Sequence, residues 1–320
     1  MLTWELTPCT VEGMAAWRLA SPAVEAVVVP GRGGKIVSLR DRRTGREWLW
    51  RNLSLPWRMP AYDAPFSEHD TGGIDDCFPT VAACPYPREP WTGTPVPDHG
   101  EVWPLAWSAE PVPGPEPRLR LRVAGVRFPY VLEREIAPLP SGDGIRLHYR
   151  LRNTGASPFA FIWSLHALLA PRPGMQLLLP PVARYRSYLS QNDFLGPPEA
   201  EHTWPLAGGR DLSFIPGPEA GYWAKTFALH PATGEAIAQD PSGDRLVFRF
   251  PANAINALGL YLNIGGVAPA GGPPYYVVGL EPSIGAPDDV LAAVEDWHEA
   301  GWVRGEEAVE WWVEIECAPR

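Results

Sequence analysis

Three segments of this chain set a titratable side chain where proton-transfer chemistry would need one. Pro97-Asp98-His99-Gly100-Glu101 places an imidazole in a glycine-bearing loop between two carboxylates, which can fix its tautomer and raise its pKa for work near neutral pH. Trp163-Ser164-Leu165-His166 puts a second imidazole at the downstream end of the most hydrophobic run, on a face shared with Ala160, Ile162 and Ser164. A polar ring left unbonded there costs roughly 1–3 kcal/mol, so either a structural network or a ligand must satisfy it. Val277-Val278-Gly279-Leu280-Glu281-Pro282 closes another apolar run with a carboxyl group. Desolvation favours the neutral form of Glu281, and a carboxylate poised in that way serves as a general base if a neighbour offsets its burial. Each residue also has an ordinary use, as a turn histidine, a hydrogen-bonded core histidine and a capping or salt-bridged glutamate.

Around these stand groups suited to holding a polar, ring-shaped ligand. Asp75 and Asp76, read as loop residues after Gly72-Gly73, are good acceptors for sugar hydroxyls. Trp103 offers a flat face of the kind on which sugar C–H groups stack, as do Trp91 and Trp107, although with 15 tryptophans some belong simply to the core. Lys225 interrupts the apolar segment Trp223–Phe227 and is one of two lysines, the other being Lys35; an inward ammonium would touch substrate, an outward one would snorkel. Gly31-Arg32-Gly33-Gly34-Lys35 lacks Walker spacing and runs into the β-type residues Ile36-Val37-Ser38-Leu39, so it is not a phosphate loop.

The elements that must position these groups read as β. Glycine and proline, 31 and 39 residues, punctuate the chain from end to end and leave few windows for long helices. Ile145–Arg152, Arg118–Val123 and Val309–Glu316 alternate apolar and polar residues with a period of two, as half-solvated strands do. Val24–Val29, Phe159–Leu169 and Tyr275–Leu280 are apolar on both sides and predict central strands. One short surface helix is expected near the C-terminus, opened by Pro287, carrying Val290, Leu291, Val294 and Trp297, and stopped by Gly301. Strands do not alternate with helices, so the fold class is all-β, a large antiparallel sandwich, with residues 1–320 forming a single domain.

Composition narrows the function. With 45% hydrophobic residues the chain buries a sizeable core, and no apolar run reaches the roughly 18–20 residues of a membrane-spanning helix. The start, Met1-Leu2-Thr3-Trp4-Glu5, lacks a secretory leader's basic and apolar regions and predicts a cytoplasmic protein. A net charge of −10 without a basic cluster disfavours nucleic-acid partners. Four cysteines, at positions 9, 77, 84 and 317, match neither zinc nor CxxC spacing and read as reduced structural thiols.

The order of these segments resembles the galactose mutarotase-like, or aldose 1-epimerase, superfamily. Val28–Asp41 resembles its opening, Pro97–Glu101 its His-Gly loop, Asn153-Thr154-Gly155 followed by His166 its second-histidine strand, and Gly279–Pro282 its C-terminal glutamate. The resemblance runs from about Val24 to Glu316 and implies a β-supersandwich and mutarotation of a small-molecule sugar without metal or cofactor. By that similarity Glu281 is the base, His166 the acid and His99 a hydrogen-bonding partner. The chain departs from galactose mutarotases in Ala167-Leu168-Leu169-Ala170 after the second histidine, in Glu101-Val102-Trp103 after His-Gly, and in Gly73-Ile74-Asp75-Asp76 where a sugar-binding Asn-Arg pair is expected. A non-catalytic sugar-binding protein on the same scaffold, and a lyase or hydrolase using Asp75, Asp76 and Glu281, are the competing readings.

Overall fold

The computed structural model describes residues 4–182, 184–268 and 272–319. Its strands form two large antiparallel sheets. In spatial order the larger runs Glu5–Val11, Met14–Ala20, Val24–Val29, Lys35–Asp41, Gly73–Cys77, Trp163–Leu169, Tyr276–Ile284, Ala257–Ile264, Tyr222–Leu229, Tyr185–Ser190 and Glu201–His202. The second is centred on Ala308–Ala318, Gly144–Asn153 and Tyr130–Pro138.

Period-two alternation explains how the sheets pack. Leu147, Tyr149, Leu151, Trp311, Val313 and Ile315 point from the second sheet into a core shared with Ile74, Trp163, Leu165, Val278 and Leu280 of the first. The alternate positions of the second sheet, among them Arg146, Arg150, Glu310 and Glu314, face solvent. The larger sheet has no such solvated face at its centre. Trp163–Leu169 is buried throughout, as is Gly73–Cys77, and loop residues including Phe66, Asp70 and His99 lie over the outer side, against His166 and Lys35.

Several sequence expectations are corrected. Phe159–Leu169 is two strands, Phe159–Phe161 pairing with Gly301–Val303 and Trp163–Leu169 entering the larger sheet. The helix is shorter than expected, Val290–Glu295, because Asp289 rather than Pro287 caps it: its carboxylate accepts from the Ala292 N–H at 2.6 Å. Nor does it stand apart on the surface, since Val290, Ala293 and Val294 are buried. The cysteines at 9, 77, 84 and 317 are unpaired. No helix among the described residues is long and apolar enough to cross a membrane.

Candidate active site

Sheet register assembles the site. Asp75 pairs with His166 across neighbouring strands, Gly259 pairs with Glu281, and Phe227 with Gly259. Pairing between Trp163–Leu169 and Tyr276–Ile284 is present at both ends, Ser164 with Ser283 and Leu168 with Gly279, but is absent in the middle. That register sets His166 opposite Glu281 within the gap. Pro282 lies in the gap and has no N–H to give, so the ladder opens there instead of ending, and the strand continues to Ile284 against Ala257–Ile264. The outer face of the sheet therefore carries a transverse row of polar side chains, Lys35, Asp75, His166, Glu281 and Lys225, from residues far apart in sequence.

At its centre His166 Nε2 lies 4.0 Å from Glu281 Oε1. Both side chains are almost wholly buried, and His166 Nδ1 and Glu281 Oε1 have no hydrogen-bond partner among the described residues. Buried polar atoms are nearly always bonded, so an orphaned atom on each of these two adjoining side chains marks where a ligand's polar atoms belong. The other carboxylate oxygen, Oε2, accepts from the Lys225 ammonium, which also lies 3.4 Å from Asp288. Burial raises the pKa of Glu281, opposed by the adjacent Lys225. Burial drives that of His166 well below the ordinary 6.5, and the positive charge of His99, Lys225 and Lys35 adds to the effect.

His99 reaches the same place from the loop. Its backbone is left-handed, φ 58°, and its N–H donates to the Val81 carbonyl at 2.6 Å. Gly100 follows at φ 77°, pressed so closely on the Phe78 carbonyl that any Cβ would collide with it. Of the two flanking carboxylates only Asp98 serves the imidazole, lying 2.8 Å from Nδ1, so Nε2 is the nitrogen left free. Glu101 is buried and accepts from Tyr62 and from the Arg127 N–H, which anchors the loop. The Phe66 ring stacks on His99 with centroids 3.7 Å apart, and the two imidazoles meet edge to face at 5.1 Å.

These groups line one cavity of about 350 Å3, walled also by Trp223, Tyr261, Tyr275 and Leu168, with Ser67, Thr71, Asp98 and Asp288 offering polar atoms. This is toward the small end of the roughly 300–1,000 Å3 of small-molecule sites. His99, His166, Glu281 and Lys225 converge there. Asp75, Asp76 and Trp103 do not line it. The two aspartates are consecutive residues of a strand rather than a loop, so they point to opposite faces. Asp75 pairs through Oδ2 with Lys35 at 2.6 Å beneath the site, its Oδ1 left without a partner among the described residues, and Asp76 turns into the core against Arg134 at 2.7 Å and the Trp163 indole at 3.0 Å. Trp103 is buried, donates to the Asp98 carbonyl at 2.9 Å and sets its ring edge-on to Phe66, bracing the loop from behind.

Sequence reasoning left Phe66, Tyr261, Tyr275 and Asp288 out of the candidate set. Asp288 had a signal, an acidic residue in the approach to a capped helix; its carbonyl, accepting from Val81 and Ala82 at 2.7 Å, fixes it over the cavity. The donor atoms of Cys77, His99 and His166 lie within 4.8 Å of one another. That spread exceeds the roughly 3.3–3.6 Å between ligands of a tetrahedral zinc ion, and burial holds the Cys77 thiol well above its ordinary pKa, away from the thiolate a soft cation needs. The trio is not a formed metal centre.

Solved structures share this architecture over the full length. The Slr1438 protein of Synechocystis matches with a TM-score of 0.71 at 19% identity, covering 100% of both chains. A galactose mutarotase-like protein from Lactobacillus casei matches at 0.64 and 12% identity, covering 98% of this chain and 99% of its own. The chain has the galactose mutarotase-like fold. A galactose mutarotase related enzyme from Lactobacillus acidophilus adds a TM-score of 0.65 at 12% identity, over 95% of this chain and 97% of that one. At these identities the likeness is one of fold, and no family model or curated sequence matches the chain. Within the galactose mutarotase-like fold, the transverse row and its cavity sit on the outer face of the larger sheet.

Proposed function

We propose that the protein is an aldose 1-epimerase acting on a small sugar. The observation that carries this reading is the buried pair itself: His166 Nε2 lies 4.0 Å from Glu281 Oε1, an oxygen with no hydrogen-bond partner among the described residues, in a cavity of sugar size that His99 also lines. Glu281 Oε1 takes the proton of the anomeric hydroxyl. The C1–O bond to the ring oxygen breaks as C1 becomes a carbonyl, and the ring oxygen receives a proton from His166. Rotation about C1–C2 presents the other face of the carbonyl, and reversal of both proton transfers closes the second anomer. Atoms and charge balance without an oxidant or reductant. His99, its Nδ1 held by Asp98, orients the sugar, while Trp223, Tyr261 and Tyr275 provide faces on which ring C–H groups pack.

The test is polarimetry or NMR of freshly dissolved α-anomers across a panel of aldoses, with the wild type and Glu281→Gln. Acceleration of at least one sugar is expected, falling about 10²–10⁴-fold in the variant, the contribution of one positioned acid or base. Sugar binding with every anomer equilibrating at the buffer rate would instead establish a binding protein.

A further inference from the structure

Lys225 has no place in the proton transfers just described, yet it is buried at their centre. Its ammonium donates to Glu281 Oε2 and lies 3.4 Å from Asp288 Oδ1, so it is bracketed by one carboxylate on the sheet and one on the segment that leads into the helix. Glu281 is confined from the other sides by missing side chains. A Cβ at Gly279 would lie 2.5 Å from Oε1, and one at Gly259 would lie 3.2 Å from Oε2. The carboxyl group thus occupies a slot whose floor is two glycines and whose one charged contact is on Oε2. That leaves Oε1 as the unbonded oxygen, turned to His166 and the cavity.

We propose that Lys225, anchored by Asp288, is the positioning residue of this site: it fixes which oxygen of Glu281 meets the substrate, rather than binding the substrate itself. This deepens the epimerase reading and rests on it. The chemical consequence concerns substrate charge. Among the described residues Lys225 is the only lysine or arginine lining the cavity, and its charge is already shared by two carboxylates. With His99 and His166 on one side, Lys35 paired to Asp75 beneath, and Glu281 and Asp288 on the other, no cation in the row is unengaged. The groove is built to hold its own charges in place.

The experiment compares wild type, Lys225→Met, Lys225→Arg and Asp288→Asn by two readouts. The first is kcat and KM on the accelerated sugar against pH. Lys225→Met is expected to lower kcat about tenfold or more with little change in KM, and to move the pH profile upward, because the ammonium holds down the proton affinity of both Glu281 and His166. Lys225→Arg, which keeps a cation able to span two carboxylates, is expected to recover part of the loss, and Asp288→Asn to show the same displacement in smaller measure. The second readout is the protonation of Glu281 itself, followed as the carboxyl infrared band that is missing from Glu281→Gln. It is expected to persist to higher pH in Lys225→Met. A raised KM with unchanged kcat and an unmoved carboxyl band would make Lys225 a sugar-binding residue and overturn the proposal. An absence of epimerase activity with the band still displaced would reject the epimerase reading while leaving the clamp intact. Should Lys225→Met fail to fold, Asp288→Asn decides by the same criteria.

Discussion

The two large sheets both carry pairs of opposite charge on their outer faces, and hold them in opposite surroundings. On the second sheet, Arg146 pairs with Glu314, Arg120 with Glu135 and Arg150 with Glu310, all in contact with water. On the first, Lys35–Asp75 and Lys225–Glu281 lie under loops with almost no exposure, beside His166. Both sets of pairs sit on antiparallel strands. What differs is the covering, and with it the effective dielectric, so that the same Coulomb law gives weakly coupled surface pairs in one place and strongly coupled, pKa-shifting groups in the other.

The largest effect expected is at the centre of that face. Glu281→Gln keeps the shape of the slot and removes the base, and its loss of about 10²–10⁴ in rate corresponds to about 3–5 kcal/mol of barrier. The melting temperature should fall little, because the substitution also removes a buried negative charge. An unchanged rate would mean that the buried row is structural, and that covering by loops alone does not mark chemistry.

A buried pair outside the site separates covering from catalysis. Arg134 and Asp76 are both fully inaccessible and pair at 2.7 Å between the sheets. Asp76→Ala strands a guanidinium in the core and should cost about 3–5 kcal/mol of stability by denaturant unfolding. The double variant Arg134→Met with Asp76→Leu should recover most of it, as the pair is replaced by apolar bulk. Equal losses in the single and double variants would show that shape, not charge, is what the pair supplies.

The dependence on pH sharpens the contrast further. The His166–Glu281 pair works while it holds one proton: two leave no base, and none leaves no acid. As pH falls through the depressed pKa of His166 the pair gains its second proton, and as pH rises through the raised pKa of Glu281 it loses its last. Because the groups are coupled, both limbs belong to the pair. The profile of kcat/KM should be a bell with its acid limb below 6.5 and its basic limb above 4.5, the ordinary values of the separate groups. A profile flat across that range, or one with a single limb, would mean that the two groups do not share the working proton.

How much of this was legible follows the same division. Strands of the solvated sheet announce themselves by alternation, so Gly144–Asn153 and Ala308–Ala318 were found nearly to the residue. His99, His166 and Glu281 stood out because each is a polar group where the pattern is apolar or tightly turned. Asp75 and Asp76 were misassigned because adjacent carboxylates look alike in sequence, and only a strand's alternation sends one under the site and the other into the core. Phe66 and Asp288 come from irregular segments that cover the site, where no period exists to read. The open ladder at Pro282 was invisible for a related reason: proline predicts a strand's end unless the neighbouring register is known.

The smallest effect closes the comparison from the solvated side. Arg146 makes two hydrogen bonds to Glu314, at 2.9 and 2.6 Å, as good a geometry as any buried pair here, and its side chain is 46% exposed. Water and mobile ions screen the attraction, and ordering two long side chains offsets much of what remains, so Glu314→Gln should change stability by no more than about 1 kcal/mol and the rate not at all. Raising salt from low to molar concentration should erase even that difference between wild type and variant, while leaving the cost of Asp76→Ala nearly unchanged. A surface pair that behaved like the buried one under salt would mean that contact geometry, rather than covering, sets the strength of these interactions, and the distinction drawn between the two faces would fail with it.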